Sequence, residues 1–413
     1  MNRREFLKNA SLACIASALS GVNSWALASA AAGPGTKKLI IVFLRGAVDG
    51  LSVVVPYSDS HYYSVRSGIA IPRPGDEGGV LKLDSDFGLH PSLAPLLPLW
   101  QQGNLAFVHA SGSPDPSRSH FDAQDFMESG TPGVKMTGTG WMNRLLVQLP
   151  NNHSPVRAIN VGQILPRIYQ GPSQVASFAP AQQNGIKQKA IDNPVLSQYF
   201  ESMYGSRGDA LGKAFNEGVS AHRTIKKELQ EEMVAANRGA PDANAYRGFG
   251  TQMGTLFAKD PTVQLGFIAV GGWDTHVNQG NSKGQLANKL GILGRGLAEL
   301  VNKLGPELEN TIICVVSEFG RTVKENGNGG TDHGHGNVMM LLGGGIAGGK
   351  VHAKWNGLGN GQLYEGRDLP VTTDFRSVLA TVLGEHMSIS KAGLQNIFPD
   401  FVSRDNLQYL LKG

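Results

Sequence analysis

Cysteine is nearly absent from this sequence: two of its 413 residues are cysteines, Cys14 and Cys314. Cys14 lies in an N-terminal segment that we expect to be removed. One remaining thiol can form neither an internal disulfide nor a zinc–thiolate cluster, so any metal site must use His, Asp and Glu side chains. Cys314 stands inside the apolar run Thr311–Val316, where a small buried core residue is expected.

An excess of one charge is also missing. The chain has 37 Lys and Arg against 33 Asp and Glu, a formal net charge of +4, and it has no run of basic residues. This balance excludes a nucleic-acid binder with a strongly basic face. No stretch after the N-terminal segment reaches about 18 uninterrupted apolar residues, so we expect no membrane association after processing.

The N-terminal 30 residues have the pattern of an export signal. A basic segment is followed by an apolar stretch and by small residues that fit an A-x-A cleavage site. The basic segment, Arg3–Lys8, reads R-R-E-F-L-K and resembles the twin-arginine motif. An ordinary signal with two chance arginines is the alternative. The pattern predicts recognition by the twin-arginine translocation machinery and a periplasmic location.

The rest of the chain, from residue 31 to 413, is expected to form one α/β domain. Continuous apolar runs rich in β-branched residues are typical of buried parallel strands, and helical patterns separate them. Such alternation predicts a mostly parallel central sheet. Residues 175–260 lack a convincing buried strand and are interpreted as a helical insertion. The predicted strands are Lys38–Leu44, Leu105–His109, Gln264–Val270, Thr311–Val316 and Val338–Leu342.

Polar segments follow these strands or, in one case, precede a strand. In open α/β sheets, ligands bind beyond the carboxyl ends of the strands. Five strand ends would therefore bring carboxylates, imidazoles and a serine cluster to one edge, which we take as the candidate site. The segments are 45–51, 111–122, 271–276, 317–322 and 330–336.

Two of these segments contain pairs of residues suited to metal binding. Asp274 and His276, and likewise His333 and His335, stand two positions apart and share one face of an extended segment. Imidazole nitrogen together with carboxylate oxygen suits zinc, manganese or iron. A hydrogen-bonded loop histidine is the alternative for each pair taken alone, but two pairs at one edge favour a metal site.

The serine cluster has two interpretations. Ser119 precedes a helical pattern and could serve only as the helix N-cap, with Asp122 three positions later. A serine there would also lie at the positive end of the helix dipole, where anions bind. His120 beside it could be a ligand, a base or a positioning residue.

Taken together, five motifs give the chain a resemblance to a known family. It resembles, along nearly its whole mature length, the DUF1501 family of exported bacterial proteins. That family is similar to the alkaline phosphatase superfamily of phosphatases, sulfatases and related enzymes. The resemblance implies a three-layer α/β core, a Ser, Thr or modified Cys nucleophile, and one or two divalent ions, which could be zinc, manganese, iron or calcium. The motifs are FLRGAVDGL at 43–51, GSPDPSRSHFDAQ at 112–124, GGWDTH at 271–276, SEFGRT at 317–322 and TDHGHG at 331–336.

The resemblance also implies roles for individual residues. Ser119 resembles the nucleophile, with Ser117 as the alternative. The residues that resemble metal ligands are Asp49, Asp274, His276, Glu318 and either His333 or His335.

Two departures put a second ion in doubt. Phe319 stands where a ligating His is expected after Glu318. The spacing of Asp274 and His276 is also shorter than usual. Asp332 or a neighbouring His could complete a second site.

The function implied is a periplasmic metal-dependent hydrolase of a small anionic substrate, a phosphate or sulfate ester. Arg45, Arg118 or Arg321 would neutralise the anion. Each arginine could instead form a structural ion pair. The alternative function is a non-catalytic, metal-stabilised exported scaffold or partner protein of the same fold.

Overall fold

The computed structural model describes residues 35–150, 156–162, 164–178, 236–243, 248–403, 405, 407 and 409–412. The predicted signal at residues 1–30 lies outside this range, as does most of the predicted helical insertion. The insertion and the single-domain boundary therefore stay predictions. Within the described ranges, none of the helices is long and apolar enough to cross a membrane.

A nine-stranded sheet forms the centre of the described structure. Its strands follow the order β11-β5-β10-β9-β1-β8-β6-β7, and β12 also pairs with β5. A small second sheet has the order β2-β4-β3. The strands are β1 (Lys38–Leu44), β2 (Val54–Val55), β3 (Leu81–Lys82), β4 (Gly88–Leu89), β5 (Leu105–Gly112), β6 (Ala158–Val161), β7 (Ala176–Phe178), β8 (Leu265–Val270), β9 (Thr311–Ser317), β10 (Asn337–Gly343), β11 (Lys350–His352) and β12 (Thr373–Asp374).

The direction of β10 decides which loops meet. The strands β7, β6, β8, β1 and β9 pair in parallel, and β10 is antiparallel to both β9 and β5. The start of β10 therefore lies at the same edge as the ends of β1, β5, β8 and β9. This arrangement brings the segment before β10 to the edge where the sequence predicts the site.

Alternate residues of β1 build two separate cores. Ile40 and Val42 belong to one buried cluster, and Ile41 and Phe43 belong to the cluster on the opposite face. Helices cover both faces, which gives the three layers expected for a parallel sheet. The α-helices are α1 (Gly50–Val53), α2 (Ser60–Val65), α3 (Leu97–Gln101), α4 (His120–Ser129), α5 (Trp141–Gln148), α6 (Phe249–Lys259), α7 (Gln285–Leu304), α8 (Phe375–Thr381) and α9 (Lys391–Ile397).

Close packing of α6 on α7 requires glycine. A Cβ built at Gly250 would lie 2.0 Å from the carbonyl oxygen of Gly296, and one at Gly296 would lie 2.3 Å from the Phe249 ring. The two backbones can therefore approach only without side chains at these positions. The helix α6 lies at the end of the range 175–260 that was interpreted as an insertion. These last residues of the predicted insertion therefore pack against α7.

The predicted α/β class with a mostly parallel sheet is confirmed, and all five predicted strands are present. The other seven strands escaped the sequence analysis, among them β6 and β7 of the central sheet. β6 has only four residues, and the three-residue β7 begins at Ala176 inside the range interpreted as helical. Both are too short to give a distinct apolar run.

Candidate metal centre

Three imidazole rings meet at the predicted edge of the sheet. His120 begins α4, His276 follows β8, and His333 lies in the segment before β10. The Nε2 atom of His333 is 3.0 Å from Nε2 of His120 and 3.0 Å from Nε2 of His276. The three rings therefore direct the same nitrogen toward one point.

Each ring holds its other nitrogen in a separate hydrogen bond. Nδ1 of His120 is 2.8 Å from Oε1 of Glu318, and Nδ1 of His276 is 3.1 Å from Oδ1 of Asp332. Nδ1 of His333 is 3.0 Å from the carbonyl oxygen of Arg118. A carbonyl and two ionised carboxylates only accept hydrogen bonds, so we assign a proton to each Nδ1. The Nε2 atoms, which face one another and Asp274, are then the atoms to which a shared proton or a metal ion would bind.

The carboxylate of Asp274 completes the group. Its Oδ1 is 2.9 Å from Nε2 of His276 and 3.4 Å from Nε2 of His333, and its Oδ2 is 3.6 Å from Nε2 of His120. Arg321 donates to Oδ1 at 2.5 Å. Oδ2 is buried and has no hydrogen-bond partner among the described residues. We call His120, Asp274, His276 and His333 the histidine–aspartate site.

The geometry of this site fits a metal ion. Ligand atoms about 2.0–2.1 Å from a tetrahedral zinc ion lie roughly 3.3 Å apart. Nε2 of His333 lies 3.0 Å from each of the other two Nε2 atoms, and the three Nε2 atoms lie 2.9 to 3.6 Å from the nearer oxygen of Asp274, which is Oδ1 for His276 and His333 and Oδ2 for His120. Donor atoms of His120, Asp274 and His333 all lie within 4.8 Å of one another, and His276 lies beside this group of three. A hydrogen bond from Nδ1 to a carboxylate or carbonyl is also the usual support of a metal-binding histidine. The unpartnered Oδ2 of Asp274 is the oxygen left to such an ion.

The surrounding charges shift the two histidines in opposite directions. Burial opposes ionisation of Asp274, but contacts with the three histidines and with Arg321 hold its pKa well below the usual value. Burial opposes protonation of His120, yet the carboxylates of Asp274 and Glu318 raise its pKa to about 9. Burial lowers the pKa of His333 against the hydrogen bond with Asp274, and Arg321 and His120 lower it further. The two carboxylates therefore favour positive charge at His120, while His333 stays neutral.

Glu318 contacts His120 at Nδ1, on the side of the ring away from the other two imidazoles. Its Oε1 accepts hydrogen bonds from the Gly46 N–H at 2.8 Å and from Gln124 at 2.9 Å, besides the contact with His120. Gly46 has a φ of 110°, and a Cβ there would lie 2.7 Å from the backbone nitrogen of Asp274. Only glycine fits this position. Glu318 was predicted as a ligand, and in the structure its Oε1 contacts Nδ1 of His120, on the side of the ring away from Nε2.

Asp332 and Phe319 also flank the imidazoles. Asp332 accepts from Asn326 at 3.0 Å besides contacting His276. The buried ring of Phe319 lies 4.8 Å from the His120 ring and 5.2 Å from the His333 ring, measured between centroids. Phe319 thus packs against two imidazoles.

Asp49 and His335 are not brought to this group. Asp49 forms two hydrogen bonds with the guanidinium of Arg66, at 2.6 and 3.1 Å, and both side chains are fully buried. The ring of His335 stacks on Tyr364 with a centroid distance of 4.7 Å. These two residues therefore have structural partners of their own.

The three arginines predicted to bind an anion each pair with a carboxylate. Arg45 bonds to Glu128, and Arg321 bonds to Asp274. Arg118 bonds to Asp368 and to Glu365. Of the three, only Arg118 is substantially accessible, with 29% of its side chain exposed.

Ser119 is the N-cap of α4 and is exposed. Its Oγ accepts from the Asp122 N–H at 3.5 Å, a long contact for a cap. The neighbouring residues on both sides contact His333, through the carbonyl of Arg118 and the ring of His120. Ser117 accepts from the Ser119 N–H at 3.2 Å. Ser119 thus lies between two residues that touch the histidine–aspartate site.

Arg66, Gln124 and Gln279 were missed by the sequence analysis. Arg66 and Gln279 contact Asp49, and Gln124 contacts Glu318. No motif contains Arg66 or Gln279, and Gln124 ends the motif at 112–124 with no role assigned to it, because the partners of the three lie between 17 and 230 positions away in the chain. The only signal was the expectation that a buried carboxylate needs a partner.

The model of one protein family matches residues 36–398, and its description is "Protein of unknown function (DUF1501)". The chain belongs to this family. The resemblance seen in its motifs is thereby confirmed. A search of curated proteins gives no match.

Several solved structures are similar to this DUF1501 chain. One is the C-terminal periplasmic domain of EcEptC from Escherichia coli, in complex with Zn, with 11% identity, a TM-score of 0.36, and coverage of 76% of this chain and 74% of that one. A second is a protein in the alkaline phosphatase superfamily from Vibrio parahaemolyticus, with 12% identity, a TM-score of 0.36, and coverage of 77% and 63%. A third is the lipoteichoic acid synthase LtaP from Listeria monocytogenes, with 9% identity, a TM-score of 0.35, and coverage of 79% and 69%. At these TM-scores, the fold assignment rests on the strand order of this chain itself.

Proposed function

We propose that this protein is a metal-dependent hydrolase of phosphate or sulfate esters, with its ion held by the histidine–aspartate site. The observation that carries the proposal is the convergence of three Nε2 atoms whose rings all donate from Nδ1. Three lone pairs at this separation repel one another unless protons or a cation lie among them, and we propose a metal ion in this place. A buried Asp274 oxygen without a partner supplies the negative charge.

The donor set favours particular metals. Three imidazole nitrogens and one carboxylate oxygen suit zinc, and also manganese or iron. Calcium prefers six to eight oxygen ligands, so it fits this site poorly. A divalent ion bound here supplies Lewis-acid polarisation of an ester oxygen.

In this proposal the chain itself supplies the nucleophile, which is Ser119, and the positive side chain that faces the substrate, which is Arg118. Ser119 is exposed, lies next to His120, and stands at the N-terminus of the ten-residue helix α4. The helix dipole there favours an anionic oxygen. Both nitrogens of His120 are engaged, which favours a ligand role over that of a base. Arg118 is the arginine accessible to a substrate anion, and it would exchange its exposed partner Glu365 for that anion.

One observation favours the alternative, a metal-stabilised protein without activity. Every arginine predicted to bind the anion is already paired with a carboxylate, and His120 and Asp274 are almost fully buried. Four protein ligands also describe a structural metal site, since catalytic sites usually keep one position open.

An assay with a matched variant separates the two functions. The purified wild-type protein and the Asp274→Asn variant are loaded with Zn²⁺ or Mn²⁺ and tested on aryl phosphates and aryl sulfates. Hydrolysis by wild type that is lost in the variant supports the hydrolase. A wild-type protein that binds metal and melts at a higher temperature, but hydrolyses neither ester, supports the scaffold.

Export by the twin-arginine route is the second part of the proposal. Its support is the R-R-E-F-L-K segment at 3–8 and the A-x-A sites that follow. Because this route carries folded proteins, the metal would be loaded before export. Replacing Arg3 and Arg4 with lysine should leave a folded precursor in the cytoplasm. Normal periplasmic accumulation of this double variant would refute the assignment.

A further inference from the structure

We infer that the protein binds a single metal ion, because the buried Arg66 guanidinium already neutralises Asp49, the carboxylate that would serve a second ion. The inference rests on the proposed metal binding at the histidine–aspartate site and adds the number of ions to it. It runs against the resemblance in the sequence, which allows two ions and makes Asp49 a ligand.

The guanidinium of Arg66 has all five N–H donors satisfied. Nη1 donates to Asp49 Oδ2 at 2.6 Å and to Ser52 Oγ at 3.3 Å, and Nη2 donates to Asp49 Oδ1 at 3.1 Å. Nη2 also donates to the Thr322 carbonyl at 2.8 Å, and Nε donates to the Val323 carbonyl at 2.7 Å. Arg66 is 0% exposed. A guanidinium held this completely is a fixed part of the fold.

The Oδ2 atom of Asp49 has two further donors besides Arg66. It accepts from Ser52 Oγ at 2.7 Å and from Gln279 Nε2 at 2.7 Å. A metal ion at Asp49 would have to displace Arg66 and leave a buried guanidinium without its counter-ion, which is strongly unfavourable. Asp49 is therefore matched to an arginine and not to an ion.

A hydrogen-bonded chain links this pair to the histidine–aspartate site. The Oε1 atom of Gln279 accepts from Thr331 Oγ1 at 3.0 Å, and Thr331 Oγ1 accepts from Arg321 Nε at 3.1 Å. Arg321 then donates to Asp274 Oδ1 at 2.5 Å. The second buried arginine thus takes one oxygen of Asp274, and only Oδ2 is left without a hydrogen-bond partner among the described residues.

The other predicted ligands offer no second site in the described ranges. The oxygens of Glu318 accept from Gly46, Gln124, His120 and Ser317. The Oδ1 atom of Asp332 accepts from Nδ1 of His276. A second ion at Glu318 would have to displace a donor from one of its oxygens, both of which are engaged, and an ion at Asp332 would share its carboxylate with the imidazole of His276.

The number of ions is measured on the full-length protein. The chain is incubated with excess Zn²⁺, desalted, and analysed by elemental analysis and by native mass spectrometry. One ion per chain is expected. Two tightly held ions would overturn the inference and leave the proposed function standing. No bound ion would overturn the proposed function as well.

Variants then assign the ion to its carboxylate. Asp274→Asn should weaken Zn²⁺ binding at least tenfold in competition with a chromophoric chelator. The double variant Asp49→Asn/Arg66→Gln removes both charges of the buried pair, and it should keep one ion with its affinity changed less than about threefold, since it alters no ligand. Loss of the ion from a folded double variant would overturn the inference. If the double variant does not fold, the wild-type stoichiometry still decides.

Discussion

The Nε2 atoms of His276 and His333 lie 3.0 Å apart, although the hydrogen bonds of both rings direct their protons to Nδ1. Two imidazole nitrogens at this distance need a proton or a metal ion between them. The acceptors that produce this arrangement, Asp332 and the carbonyl of Arg118, come from the loop before β10 and the segment before α4. Separate segments at one edge of the sheet thus bring the two rings together, and the proposed metal ion would lie between them.

Chelation should destabilise the protein. A ligand that binds only the folded state adds about 2.7 kcal/mol to the free energy of unfolding when its concentration is a hundred times its dissociation constant. Urea unfolding with Zn²⁺ and with a chelator should show this difference in wild type. Asp274→Ala and His276→Ala should remove it. Equal unfolding of wild type under the two conditions would mean that no stabilising ion binds.

Glu318→Gln tests the support behind His120. The amide cannot provide the carboxylate charge that orients and polarises the ring, so we expect metal affinity to fall about 10- to 100-fold. The matched control is Glu365→Gln. Glu365 is exposed and forms its ion pair with Arg118, which is not one of the proposed ligands. Chelator competition measures both. Equal affinities of the two variants would contradict the role of Glu318.

Ser119→Ala separates chemistry from capping. Loss of the long cap contact with Asp122 should lower the free energy of unfolding by at most about 1 kcal/mol. Hydrolysis should fall by orders of magnitude while metal content stays unchanged, if Ser119 is the nucleophile as proposed. Ser117→Ala is the control and should remain active. A fully active Ser119→Ala protein with an inactive Ser117→Ala protein would move the nucleophile to Ser117.

Three buried histidines away from the metal centre should make stability depend on pH. Burial lowers the pKa of His90, His109 and His386 to about 4. Their unfolded pKa is about 6.5, so between pH 6.5 and 4 the unfolded chain binds protons that the folded chain does not. The free energy of unfolding should therefore fall as pH drops through this window, by up to about 3 kcal/mol for each histidine.

Urea titrations in the presence of chelator measure this dependence without the contribution of metal release. The variant His386→Gln should make this dependence weaker than in wild type, since one of the contributing groups is removed. A stability that does not change between pH 6.5 and 4 would show that these rings are not held neutral.

Much of the fold followed from the sequence because long apolar strands leave a direct signal. The runs at Lys38–Leu44 and Thr311–Val316 contain few polar residues, and both became central strands. The polar segments after them then had to meet at one edge, which is why Asp274, His276 and His333 could be named together. His120 was correctly placed beside them by the end of β5 and the start of α4.

The role of each carboxylate could not be predicted in the same way. Asp49, Asp274 and Glu318 all follow buried strands and look equivalent in sequence. The structure distinguishes them by their partners: Arg66 faces Asp49, three imidazoles face Asp274, and Gly46 with Gln124 faces Glu318. Such pairings depend on contacts between distant segments, which no local pattern records.

The most direct test of the account is to locate the ion in a crystal of the protein grown with Zn²⁺. Diffraction data collected on both sides of the zinc absorption edge should give one anomalous peak per chain. We predict that it lies about 2.0–2.2 Å from Nε2 of His120, His276 and His333 and from Oδ2 of Asp274. A fully ordered site without a peak at that position, or with its peak beside Asp49, would contradict the account.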